Sequence, residues 1–397
     1  MKQVVVNTST YSADEFGVCS ALYELGGMVV MHDASGCNST YTTHDEPRWY
    51  DMDSMIYISA ISEMEAIMGD DEKLIRDLVE TAKELNPAFI AIVGAPIPYM
   101  TGTDFNAIAN LVESRTGITS FGLQTNGMEY YTKGVSMALE KIADLFCKGE
   151  EHLHSHEHGH SHGDVLRVNI LGATPLDFSV GGTVEAIKRW LSGNGFTPGA
   201  CFAMGSTLEE IKEASGAQVN IVVSYGGLAA AKLLEERFGT PFVVGVPYGK
   251  LFSKYLANSI LQASLMKKSL AAYNIKAAYG TDTKKQAVII GESVLSASLA
   301  SAMEMEDPGL NVRVLCPLDT EAVLLRAGDL RVPEESDVVN ALKNAEIVIA
   351  DPLYKMLCPE KQFIALPHTA FSGRIYEKEI PVLIGDLGPL KGEPGTC

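Results

Sequence analysis

What most constrains this chain is the repeated alternation of short, continuously apolar runs with amphipathic ones. The runs Phe89–Val93, Val168–Leu171, Val219–Ser224, Phe242–Val246, Ala287–Ile290, Val312–Leu315, Ile347–Ala350 and Val382–Ile384 are built mostly from Val, Ile, Leu and Ala. Runs of this kind suit parallel strands that are covered by helices on both faces. Between them lie segments with helical spacing. Asp71–Leu85 sets Leu74, Ile75, Leu78, Val79 and Ala82 along one face. Thr207–Ala214, Ala229–Phe238 and Ser336–Asn344 are expected to be helices as well. Strands that alternate with helices predict an α/β fold with mostly parallel, doubly wound sheets.

Two breaks divide the 397 residues. Residues 150–163 read Glu-Glu-His-Leu-His-Ser-His-Glu-His-Gly-His-Ser-His-Gly, a low-complexity tract that cannot build a core. The second break falls near Gly280-Thr281-Asp282-Thr283-Lys284-Lys285. The expected organisation is a first α/β domain at 1–149, a His-rich linker at 150–163, a second domain at 164–282 and a third at 283–397. Serial units of this type place ligand clefts between domains, at the carboxyl ends of strands.

Composition excludes several classes of function. Asp plus Glu number 50 against 31 Lys plus Arg, a net charge of −19, which disfavours nucleic acid and anionic lipid. No apolar run approaches the about 18 residues of a spanning helix, and Met1-Lys2-Gln3-Val4-Val5-Val6 does not read as a secretory signal. Seven scattered cysteines, an odd number, suit a reducing compartment. A cytoplasmic protein is expected.

Several residues carry candidate chemistry. Cys37 ends Met31-His32-Asp33-Ala34-Ser35-Gly36-Cys37, where Gly36 would let the backbone approach a bulky group, and Cys19 lies 18 residues earlier in the helical stretch Phe16–Leu25. They read either as small buried hydrophobes or as thiolate ligands. A [4Fe–4S] cluster takes four thiolates, so two per chain would require a second chain. His152, His154, His156, His158, His160 and His162 stand at i, i+2 spacing, a pattern that binds Ni or Zn in an extended chain or serves as a solvated linker. His368, in Leu366-Pro367-His368-Thr369-Ala370-Phe371-Ser372-Gly373, reads as a hydrogen-bonded loop histidine or a ligand. Gly181-Gly182-Thr183 and Tyr225-Gly226-Gly227 read as strand-to-helix turns, the first able to present a helix N-terminus to an anion. GxSxG and CxxC are absent from the sequence.

The order of several segments resembles the nitrogenase component 1 family, which includes the catalytic subunits, cofactor-assembly scaffolds and tetrapyrrole reductases. His32-Asp33-Ala34-Ser35-Gly36-Cys37 resembles its His-Gly-x-x-Gly-Cys motif, and Met68-Gly69-Asp70-Asp71-Glu72-Lys73-Leu74 resembles its Gly-Gly-Glu-x-Lys-Leu segment. Met100–Asp104, Phe121–Ile142, Val168–Gly172, Ser206–Ile211 and Phe371–Asp386 follow in family order. The resemblance implies three Rossmann-like domains. It also implies a [4Fe–4S] cluster shared across a dimer interface, with Cys37 matching the central cysteine and Cys19 near the first. Gly94-Ala95-Pro96 occupies the place of the third cysteine, and Ser224-Tyr225 that of the cofactor cysteine, while His368 falls close to the cofactor histidine. An iron–molybdenum cofactor is therefore not expected.

The function implied is an iron–sulfur oxidoreductase component. It would take electrons from a nitrogenase reductase-like ATPase and reduce a substrate or cofactor held between its domains, as a homodimer or with a second component 1-like subunit. The alternative is a non-catalytic scaffold for metallocofactor assembly, or for handling nickel or iron. If Cys37 is a cluster ligand, Cys37→Ala changes the EPR spectrum of the reduced protein; an unchanged cluster spectrum removes the assignment.

Overall fold

The computed structural model describes residues 5–36, 46–149, 165–273 and 285–391. They form three parallel sheets. The first runs β2-β1-β3-β4, from β1 (Met28–His32), β2 (Met55–Ile58), β3 (Ile90–Gly94) and β4 (Ser120–Leu123). The second runs β6-β5-β7-β8-β9, from β5 (Arg167–Leu171), β6 (Thr197–Cys201), β7 (Val219–Val222), β8 (Phe242–Val244) and β9 (Leu270–Ala271). The third runs β12-β11-β10-β13-β14, from β10 (Lys285–Ile290), β11 (Leu310–Cys316), β12 (Leu330–Arg331), β13 (Ile347–Ala350) and β14 (Gln362–Ala365).

Continuous apolar strands bury both faces, as the first sheet shows. Val29, Met31, Ala91 and Val93 enter one large cluster that continues through Ile170 and Val222 to Ile289 and Ile349. The alternate residues Met28, Val30, Ile90 and Ile92 pack with Leu74, Ile75 and Leu78 of the Asp71–Leu85 helix. That helix has the ends expected of it, with Asp70 capping through the Glu72 amide. The Thr207–Ala214 segment is shorter than expected: a helix at Leu208–Lys212, followed by a tighter turn at Ala214–Gly216. Val382–Ile384 is not a strand. Pro381 precedes it and withholds a backbone donor, and its one ladder contact is an isolated bridge from Ile384 to Tyr248.

In each sheet the strand order reverses between two neighbours: β1 and β3, β5 and β7, β10 and β13. Ligands of open α/β sheets bind beyond the carboxyl ends of such strand pairs. Here those ends lead into Asp33 and Ala95, Gly172 and Ser224, and Glu292 and Asp351.

The helices Asp14–Leu22 and Tyr131–Phe146 pack backbone against backbone, which sets the position of Tyr131. A Cβ on Gly17 would overlap the Tyr131 carbonyl, and one on Gly134 would overlap the Asp14 carbonyl. Gly134→Val is expected to cost roughly 1–3 kcal/mol by forcing these helices apart, read as a lower urea midpoint. Gly193→Ala, in the Thr183–Gly193 helix where a Cβ meets nothing within 4 Å, serves as the control and should hold or raise the midpoint.

Candidate functional site

A cavity opens between the carboxyl ends of strands in the second and third sheets. It offers about 60 Å³ to the centres of water molecules, space for roughly four of them. Tyr11 reaches it from the N-terminal segment, Asp177 and Tyr248 from the second sheet, and Glu292, Asp351 and His368 from the third.

Asp177 ties these parts together. It lies in the short turn Pro175–Phe178 just after β5, and its side chain is 2% exposed. The Tyr131 hydroxyl donates to its Oδ1 at 2.5 Å, and His368 Nε2 lies 3.3 Å from the same oxygen. Burial, then the Asp177 charge, pushes the Tyr131 phenol well above its ordinary range, so it stays a donor. Both His368 ring nitrogens are buried and find no hydrogen bond among the described residues; the Asp177 approach lacks hydrogen-bond geometry. The imidazole is instead held by its backbone and by packing. Asp351 accepts from the His368 amide at 2.9 Å and from the Ser372 hydroxyl at 2.7 Å. The Tyr11 ring lies edge-on to His368 at 5.8 Å between centroids.

Glu292 follows β10 and caps the Ser293–Glu306 helix, accepting from the Leu295 amide at 2.9 Å. It also accepts from the Tyr225 amide at 3.0 Å and the Ser293 hydroxyl at 2.9 Å. Burial, then the nearby Asp177 charge, raises its carboxyl to about 7. The Tyr225 contact fixes the end of the β7 turn. Next to it Ser224 is fully buried and donates to the Gly172 carbonyl at 2.6 Å. Ser224 therefore braces two strand ends, and Glu292 occupies the turn beside it.

The structure brings His368 into the cavity and places Cys19 elsewhere. Cys19 sits on the Asp14–Leu22 helix with no exposed surface. Burial, then the charges of Glu15 and Glu46, pushes its thiol well above the ordinary range. His32, the last residue of β1, is buried with Nδ1 2.8 Å from Ser59 Oγ, and burial lowers its imidazole to about 4. Cys37 and the six tract histidines, His152, His154, His156, His158, His160 and His162, lie outside the described residues. Gly181-Gly182 leads into the Thr183–Gly193 helix, and Thr183 lines the cavity.

A [4Fe–4S] cluster needs a set of thiolates. Among the described residues no three His, Cys, Asp or Glu side chains are grouped to hold a metal ion, and the five described cysteines are all buried. Cys19 in particular carries a protonated thiol enclosed in apolar core, so the described residues do not fit a cluster's ligand set.

Residues 16–316 match the family model for nitrogenase component 1 type oxidoreductases. The chain belongs to that family. A nitrogenase iron-molybdenum cofactor biosynthesis protein, NifE of Clostridium pasteurianum, is 26% identical over 204 residues, 51% of this chain and 41% of that protein. One of the subunits of the light-independent protochlorophyllide reductase of Prosthecochloris aestuarii is 32% identical over 83 residues, 21% of this chain and 16% of its own. The chain thus aligns with less than half the length of these relatives. A solved structure of nitrogenase Cp1 at pH 6.5 superposes with a TM-score of 0.68 at 16% identity, covering 98% of this chain and 93% of the other. At that identity the likeness shows the fold, the three-sheet architecture of the nitrogenase component 1 family.

Asp177, Glu292 and Asp351 escape a reading of the sequence because each is a lone carboxylate. The available signal is position: Glu292 follows Gly291 directly at the end of an apolar strand, and Asp177 follows Pro175 just beyond another. Glu292 also makes a prediction. The folded protein holds its proton to about 7, whereas an unfolded carboxyl loses it near its ordinary value of 4.5. Its contribution to stability is whole below the lower value and is lost as pH rises through the upper one. Glu292→Gln should therefore gain on the native protein by roughly 3 kcal/mol at most between about pH 5 and about pH 8, measured by urea unfolding. Parallel pH profiles for the two proteins contradict the shift.

Proposed function

We propose that this chain is a nitrogenase-like component that takes a substrate or cofactor into the cavity between its second and third sheets, where it is reduced with electrons from a reductase-like ATPase. The observation that carries this reading is the convergence of His368, Asp177 and Glu292 on one interdomain cavity at the strand-order reversals. His368 brings two buried ring nitrogens that make no hydrogen bond among the described residues. Tyr131 holds the Asp177 carboxylate in place, and Asp177 in turn faces the imidazole. Reduction consumes protons as well as electrons, and Glu292, raised to about 7, is a suitable local proton source. The apolar walls, including Leu295 and Leu366, exclude bulk water from the reacting group.

A second reading is a scaffold that holds a metallocofactor without turning it over. The enclosed, protonated Cys19 favours it, and so does the likeness to a protein named for cofactor biosynthesis. A cluster shared between two chains requires Cys37 and a Cys19 released from its core position. The His152–His162 tract, with nickel or zinc as cargo, belongs with this reading.

The test is anaerobic purification of the untagged protein, followed by mass spectrometry of whatever it retains. The assay is repeated with His368→Ala and with a reductase-like ATPase and MgATP. The expected result is a retained molecule that His368→Ala loses and that changes mass only with MgATP. Retention without MgATP-dependent change selects the scaffold. Equal retention by both proteins removes the cavity as the site.

A further inference from the structure

The charge of the cavity wall restricts what can enter it. Three carboxyl groups line it, from Asp177, Glu292 and Asp351, against one imidazole, from His368. Among the described residues neither Lys nor Arg lines it. Even a protonated His368 leaves acid in excess. Two carboxylates already have donors: Asp351 accepts from two backbone amides and Ser372, and Glu292 from two amides and Ser293. Asp177 is different, since among the described residues its one hydrogen-bond donor is the Tyr131 hydroxyl, and the His368 imidazole beside it lies outside hydrogen-bond geometry. The remaining wall is apolar and aromatic, with Tyr11, Phe178 and Tyr248 among it.

We propose that the ligand of this cavity is a small organic cation of the alkylammonium type, bound between the Asp177 carboxylate and the aromatic wall. This rests on the cavity being the functional site, as proposed above, and adds the charge class of its occupant. A cation would satisfy Asp177, and alkyl groups on its nitrogen would suit a wall of aromatic rings and Leu side chains. It also offsets the Asp177 charge, which adds to burial in raising Glu292. A polycarboxylate meets the opposite conditions: each carboxyl group would lose its water beside three acidic side chains with no Lys or Arg to receive it. The volume agrees, since room for a few water molecules suits a ligand of a few heavy atoms.

The test is calorimetric titration of the full-length protein at constant ionic strength with choline, with 3,3-dimethyl-1-butanol as its uncharged isostere, and with citrate. Choline should bind saturably in the millimolar range or tighter, about tenfold or more above the isostere, and citrate should not bind. Asp177→Asn should weaken choline by about tenfold while leaving the isostere unchanged. Because that variant also removes the acceptor of Tyr131, the choline-to-isostere ratio on the unmodified protein stands as an independent criterion. Equal binding of choline and isostere, or no binding of choline, overturns the charge class. Citrate binding that choline does not displace and His368→Ala abolishes would overturn it too, yet keep the cavity as the site. If none of the three binds and anaerobically purified protein retains nothing, both proposals fall.

Discussion

A single buried carboxylate joins the parts of this protein. Asp177 stands at the end of a strand in the second sheet, takes the hydroxyl of Tyr131 from a first-sheet helix, and faces His368 from the third. A buried carboxylate without partners is costly, so the fold must bring at least one donor to it. Tyr131 reaches it because Gly17 and Gly134 let two helices touch along their backbones. His368 stays beside it because Asp351 accepts from both the His368 amide and the Ser372 hydroxyl. The cavity is thus a consequence of how strand ends of the second and third sheets are held face to face, with Tyr131 bracing Asp177 from a first-sheet helix.

Two described positions depart from what the family resemblance implies. Where the family resemblance implies a cofactor cysteine, Ser224 spends its hydroxyl on the Gly172 carbonyl. Where it implies a first cluster cysteine, Cys19 lies fully buried near Glu15 and Glu46, charges that oppose a thiolate. The chemistry that remains accessible in the described residues is acid–base chemistry around an imidazole, in a pocket of negative charge.

Much of the fold is legible in the sequence because its strands are buried on both faces. Continuous apolar runs such as Ile347–Ala350 coincide with strands, and Asp71–Leu85 coincides with its helix. The strands that escape such a reading have weak patterns for physical reasons. The edge strand β6 contains Pro198 and Gly199, and β12 is two exposed residues. Val382–Ile384 misleads in the opposite direction, since apolar content alone does not show that Pro381 interrupts the donors. At the site, His368 is visible through its Pro-His and Ser-Gly neighbours. Its partners are not, because Asp177 and Glu292 come from segments more than a hundred residues apart, and one sequence carries no sign of that contact.

The most direct test of the cavity as the functional site is a crystal structure of the protein purified without oxygen from its native cells. The expected result is density for a bound molecule between the sheets, within contact distance of the His368 imidazole and the Asp177 carboxylate. A cavity holding only ordered water, with the retained molecule bound elsewhere on the chain, would contradict it.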